Sequence, residues 1–145
     1  MKIGIASDHL GYLKKKILIR FLRKNGFIAV DYGPSNDNSV DYPDYAIRVC
    51  EAINKDEVKE GILLCGTGIG MSIAANKVKG ILCAKVDNEQ DALLSKTHNN
   101  ANILAVSATK DILELENIIL TFLKTTFSNE ERHVRRINKI KELEN

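Results

Sequence analysis

The chain has 145 residues, 44% of them hydrophobic and 28% charged, and a formal net charge of +2. That length predicts a single domain over 1–145 with a sizeable core, and the composition is that of a soluble globular protein. So small a charge does not point to nucleic acid or an anionic membrane as partner, and no apolar stretch approaches a membrane span. The opening Met1-Lys2-Ile3-Gly4-Ile5-Ala6 meets Asp8 and His9 too early for a signal peptide. Cys50, Cys65 and Cys83 form no CxxC pair and are odd in number, which predicts reduced thiols and a cytoplasmic protein.

Apolar runs and helical periods alternate from end to end. Lys2 to Ala6 reads as a buried strand, followed by a helix over 10–25 with Leu13, Ile17 and Phe21 at helical spacing and Gly26 as its stop. Phe27 to Tyr32 is a second strand, and Gly33 to Tyr42, rich in Asn, Asp and Ser, a loop. Pro43 then opens a helix that runs to Asn54. A third strand covers 62–65 and a helix 69–77; a fourth strand covers 81–86 and a helix 89–96; a fifth strand covers 103–106 and a helix 111–124. Such alternation predicts right-handed crossovers and an α/β fold, a Rossmann-like or flavodoxin-like three-layer sandwich around a five-stranded parallel sheet. Past it, Ser128-Asn129-Glu130-Glu131 reads as a capping box for a C-terminal helix over 129–143. Val134, Ile137 and Ile140 line one side of that helix and have to dock on the chain's own body or on a partner. Arg132 and Arg136 share another face.

The stretch Gly61-Ile-Leu-Leu-Cys65-Gly66-Thr67-Gly68-Ile69-Gly70-Met71-Ser72 is the most informative. It puts a thiol at the carboxyl end of a strand and the amino end of a helix, the edge where open parallel sheets bind ligands. Unpaired helix amides favour anions and lower the pKa of a nearby thiol. The glycines let the backbone turn its amides toward a ligand. Gly70 is followed by Met71 and Ser72, not by Lys and Ser or Thr, so this is no Walker loop, and G-x-G-x-G is not the dinucleotide fingerprint. The segment reads as a nucleophile or base beside an anion cradle.

Strands one and three are neighbours in a flavodoxin-like order, which predicts that Asp8, His9 and Cys65 share one crevice. His98 precedes strand five and therefore begins at the opposite edge, which points to a site in a neighbouring subunit or to a loop that folds over. Plainer roles stand beside these: Asp8 as a helix N-cap, His9 as a surface histidine, His98 as a cap on helix carbonyls. No grouping has metal-ligand spacing.

Ser7-Asp8-His9, Val40-Asp41-Tyr42-Pro43, Cys65-Gly66-Thr67-Gly68-Ile69-Gly70 with Ser72-Ile73-Ala74-Ala75-Asn76-Lys77, His98-Asn99-Asn100-Ala101-Asn102, and Arg132-His133 with Arg136 together resemble type B ribose-5-phosphate isomerase, in order along nearly the whole chain. The resemblance implies an aldose–ketose isomerase without metal or cofactor, interconverting ribose 5-phosphate and ribulose 5-phosphate in the non-oxidative pentose phosphate pathway. It implies Cys65 as the base that moves a proton between C2 and C1 through a cis-enediolate, His98 opening the furanose ring, and Asp8 and Thr67 assisting. It further implies that amides from Gly66 through Gly68 and Ile69 to Gly70 stabilise the enediolate. Tyr42 and Asn99 would meet the sugar, and His9, Arg132, His133 and Arg136 would hold the phosphate. The family works as a dimer or dimer of dimers with sites shared between subunits.

The chain departs from the family pattern in three places. Leu82 stands where arginine is usual; Ser107-Ala108-Thr109, followed by Lys110, replaces a Gly-x-Arg; and Glu130-Glu131 replaces a glycine pair. Two other readings remain open: an isomerase of a six-carbon sugar 6-phosphate such as allose or galactose 6-phosphate, and a sugar-phosphate-binding protein without catalysis.

Overall fold

The computed structural model describes residues 1–145. Strands β1 (Lys2–Ser7), β2 (Ile28–Asp31), β3 (Glu60–Cys65), β4 (Cys83–Lys85) and β5 (Ile103–Ser107) alternate with helices α1 (Tyr12–Lys24), α2 (Tyr42–Asn54), α3 (Ile69–Asn76), α4 (Glu89–Thr97) and α5 (Ile112–Lys124). A last helix, α6 (Glu131–Glu142), closes the chain. All five strands pair in parallel, in the order β2-β1-β3-β5-β4. The α/β three-layer architecture is the one the alternation predicts.

The central strands β1, β3 and β5 are apolar on both faces because helices cover both. Ile3, Ile5, Ile62, Leu64, Leu104 and Val106 point to the side of α1 and α5, where Leu18, Leu22, Ile119 and Phe122 meet them. Their neighbours Leu63, Cys65, Ile103 and Ala105 point the other way, against Val49 and Cys50 of α2 and Met71 and Ala75 of α3. Period-two alternation thus divides one run of residues between two cores. It also fixes that the Cys65 side chain leaves the sheet on the α3 side.

Strand β5 lies between β3 and β4, so the sheet does not end on it. Ile103, Leu104, Ala105 and Val106 are wholly buried and belong in the interior, whereas β4 is three half-buried residues, a length suited to an edge. The strand predicted over 81–86 is therefore shorter than its apolar run, although Ile81 and Val86 stay buried. The resulting register pairs Cys65 with Ser107.

The predicted capping box does not form. Asn129 adopts a left-handed conformation (φ 60°), which turns the chain between Ser128 and the helix, so α6 begins at Glu131 with Glu130 as its cap. The Ser128 hydroxyl accepts from the Glu130 N–H two residues on instead. Helix α6 docks on the chain's own body, over the amino ends of the strands: His133 and Ile137 are buried, Ile140 borders a cleft with Leu82, Ala84 and Ala101, and Glu144 accepts from the Gly80 N–H at 3.0 Å. Val134 and Ile140 remain largely exposed, so only part of the predicted apolar stripe is used.

Candidate active site

At the carboxyl edge, β1 and β3 run side by side, and the residues that follow them are tied together. The Asp8 N–H donates to the Leu64 carbonyl at 3.0 Å. The buried Asp8 carboxylate accepts from the Gly11 N–H at 2.9 Å through one oxygen and from the Gly66 N–H at 3.4 Å through the other. The N-cap of α1 is Gly11 rather than Asp8, whose carboxylate instead ties the turn ahead of that helix to the loop after β3. Cys65, Asp8 and His9 lie at the carboxyl ends of the adjacent strands β3 and β1, at the edge the strand order predicts.

Cys65 is 5% exposed, and its Sγ accepts from the Gly68 N–H at 3.0 Å, a donor placed to hold negative charge on the sulfur. That geometry requires Gly68 in the left-handed region (φ 80°), where a side chain would also press on the Val106 backbone at 3.0 Å. The Thr67 Oγ1 accepts from the Ile69 N–H at 3.1 Å and closes the first turn of α3. On the β5 side, the Ala108 N–H donates to the Cys65 carbonyl at 2.8 Å, and the Ser107 hydroxyl donates to the Gly66 carbonyl at 2.8 Å.

With those groups occupied, the amides of Thr67, Gly70 and Met71 have no protein acceptor. They are the open donors at the amino end of α3, where the helix dipole favours an anion. The resemblance assigned every amide from Gly66 to Gly70 to the ligand, but three of the five already serve Asp8, Cys65 and Thr67. Tyr42 lies directly on this turn, since a Cβ at Gly70 would fall 2.5 Å from its ring. His9 contributes a buried Nδ1 without a partner.

The other candidate residues lie at the opposite edge. His98 is the C-cap of α4, ahead of β5, and stacks on His133 of α6 with ring centroids 4.2 Å apart and planes at 17°. Burial first, and then the cations Arg132 and Arg136 and the His98 ring, hold His133 below the ordinary imidazole range; Glu130 opposes them. Its buried Nε2 has no partner. Arg132, Arg136 and Asn99 are exposed, with Arg132 paired to Glu130. Behind them Lys96 and Glu60, both buried, form an ion pair under the Phe122 ring, 4.5 Å from the ammonium. Burial raises the Glu60 carboxyl pKa, and Lys96 works against that rise.

The candidates thus fall into two groups: Asp8, His9, Tyr42 and the 65–70 loop at one end of the strands, His98, Asn99, Arg132, His133 and Arg136 at the other. A strand of six residues (Glu60–Cys65) separates them, roughly 17 Å of backbone at ~3.3 Å per residue. One chain does not bring them together. Burial pushes the other thiols, Cys50 and Cys83, up to about 12, and both remain protonated packing groups. No group of three or more His, Cys, Asp or Glu side chains is arranged to hold a metal, and no helix is long and apolar enough to cross a membrane.

Two contacts escape the sequence reading. One is that of Ser107, noted there only as a departure, with the Gly66 carbonyl. The other is that of Lys15, wholly buried, whose ammonium donates to Asp31 at 2.8 Å and to the Pro34 carbonyl at 2.6 Å and so anchors the loop leading to Tyr42. Its signal was its spacing, since it shares a helix face with the buried Leu18, Ile19 and Leu22.

Known proteins resemble this chain along nearly its whole length. Residues 3–140 match the Ribose/Galactose Isomerase family. A Mycoplasma genitalium protein described as a probable ribose-5-phosphate isomerase B is 46% identical over 142 residues, 95% of this chain and 92% of its own length. The structure of ribose-5-phosphate isomerase B from Clostridium thermocellum superposes with a TM-score of 0.96 at 46% identity, covering 99% of this chain and 97% of that one. Ribose-5-phosphate isomerase B from M. genitalium with bound ribulose 5-phosphate superposes with a TM-score of 0.93 at 44% identity, covering 99% and 95%. The chain belongs to the ribose/galactose isomerase family.

Proposed function

We infer that this protein interconverts ribose 5-phosphate and ribulose 5-phosphate. The observation that carries the reading is the Cys65 sulfur held by the Gly68 amide beside the open amides of Thr67 and Gly70, in a chain whose relatives include a ribulose 5-phosphate complex. Moving a proton between adjacent carbons next to a carbonyl needs a base and a donor array for the enediolate oxygens. Cys65 as thiolate takes the proton from C2 of the open-chain sugar, and the electron pair forms the C1–C2 double bond of the cis-enediolate. The proton returns to C1, and Thr67 carries a hydroxyl proton between O1 and O2. Open amides at the start of α3 offset the oxygen charge.

His98 opens the furanose ring. Asp8 keeps lone pairs free for a sugar hydroxyl beyond its two backbone contacts. Tyr42 and Asn99 border the sugar. His9, Arg132, His133 and Arg136 take the phosphate, the arginines at helical spacing and the imidazoles through ring nitrogens that have no partner within the chain. Because these groups occupy opposite ends of one chain, the site is completed by a second copy. Leu10, Ile69 and Ile73, each more than half exposed around the crevice, offer the apolar surface such a homodimer covers.

The test is incubation with ribose 5-phosphate, without added metal, following ribulose 5-phosphate, with Cys65→Ser alongside. Turnover that falls about 10³-fold or more in the variant, at unchanged Tm, supports the reading. A variant as active as the parent removes Cys65 as base. An inactive parent that turns over allose 6-phosphate moves the substrate to six carbons.

A further inference from the structure

Resting on that isomerase reading, we propose that Ser107 is a positioning residue for the anion cradle: its hydroxyl, braced by Thr109, latches the Gly66–Thr67 peptide so that the Thr67 N–H faces the reacting oxygens. Neither side chain touches substrate. Both act through backbone.

The hydrogen-bond pattern fixes the direction of each proton. Ser107 Oγ lies 2.8 Å from the Gly66 carbonyl, which can only accept, so the Ser107 proton goes there. Ser107 Oγ also lies 2.6 Å from Thr109 Oγ1. With its own proton committed, Ser107 accepts in that contact and Thr109 donates. The Thr109 N–H adds a second donor at 3.2 Å. The chain of donors therefore runs from Thr109 through Ser107 to the Gly66 carbonyl, each bond polarising the next.

A trans peptide is planar, with its N–H antiparallel to its C=O. Holding the Gly66 carbonyl toward β5 thus holds the Thr67 N–H away from β5, and that amide has no protein acceptor. The flanking peptides are held by other groups: Ala108 takes the Cys65 carbonyl, Asp8 the Gly66 N–H, and Cys65 the Gly68 N–H. Gly66 itself tolerates either orientation of the peptide that follows it. Without the Ser107 hydroxyl, a flip would turn a carbonyl toward the place where the enediolate carries its negative charge.

The latch acts on the transition state, so its removal is read in kcat. Ser107→Ala is expected to lower kcat on ribose 5-phosphate about 10-fold with KM within about twofold, less than the 10²–10³-fold cost of deleting a donor outright. Ser107→Thr, which keeps the hydroxyl, restores the rate to within about twofold of the parent, and Thr109→Val costs a few-fold. The Thr67 amide resonance supplies a readout free of turnover: sharp in the parent and in Ser107→Thr, shifted and exchange-broadened in Ser107→Ala. Parent-like kcat in Ser107→Ala, or a loss that Ser107→Thr does not rescue, overturns the latch and leaves the isomerase reading standing. A parent without turnover instead sinks the isomerase reading, and an unaltered Thr67 resonance in Ser107→Ala then overturns the latch as well.

Discussion

The two ends of the sheet are built on different rules. At the carboxyl edge the side chains meet backbone: Asp8, Cys65, Thr67 and Ser107 each bind a main-chain group of the 65–69 turn. At the amino edge the candidate groups are side chains meeting side chains, a His98–His133 stack and arginines on an exposed helix face, supported by a buried Lys96–Glu60 pair. The first edge is held by hydrogen bonds to main chain, and the second presents charged side chains on an exposed helix face. Preorganised backbone donors stabilise charge as it develops, while long cationic side chains grip charge already present.

The largest expected effect tests whether these edges meet across two chains. Cys65→Ser and His98→Asn should each lose activity about 10³-fold, yet their mixture after subunit exchange should regain about a quarter of parental activity, since half the dimers carry one intact site. A mixture as inactive as its parts would confine the site to one chain.

Next comes the support under the amino edge. Lys96→Met leaves Glu60 buried without its partner and should cost about 3–5 kcal/mol in urea unfolding, with most of it recovered in Lys96→Met/Glu60→Gln. No recovery would show that Lys96 acts through Phe122 instead. At the carboxyl edge, Gly68→Ala forces a side chain into a left-handed position against Val106 and should cost about 1–3 kcal/mol, with slower turnover besides. A parent-like Tm and rate would mean the turn is softer than its hydrogen bonds imply.

The smallest effect is a slope. His133 titrates below its ordinary value in the fold, so as pH falls below about 6.5 the unfolded chain takes the proton first and stability drops; above about 6.5 the contribution is fully present. Tm should fall less steeply between about pH 6.5 and 5 in His133→Asn than in the parent. Parallel curves would detach His133 from that dependence.

Much of this was legible from residues alone. The alternation of apolar runs with helical periods carries the fold, and the glycines after Cys65 carry the cradle. The position of His98 ahead of a strand already placed it at the far edge. Strand order left no local mark: nothing in the 81–86 or 103–107 segments says which of them neighbours β3, so the Ser107–Gly66 contact was invisible. Lys15 carried the spacing of a core residue but the chemistry of a surface one, and the chemistry is the stronger habit. The capping box at Ser128 failed on one backbone angle at Asn129, which sequence pattern does not encode.

Lys15 has a practical consequence. Its amine is 0% exposed and capped by Asp31 and Pro34, so an acylating reagent that labels the chain's surface lysines should pass it by while the 33–42 loop is shut. Labelling at Lys15 would be a clock for the opening of that loop, and a slower clock with ligand bound would report, from a position well outside the pocket, that Tyr42 had settled.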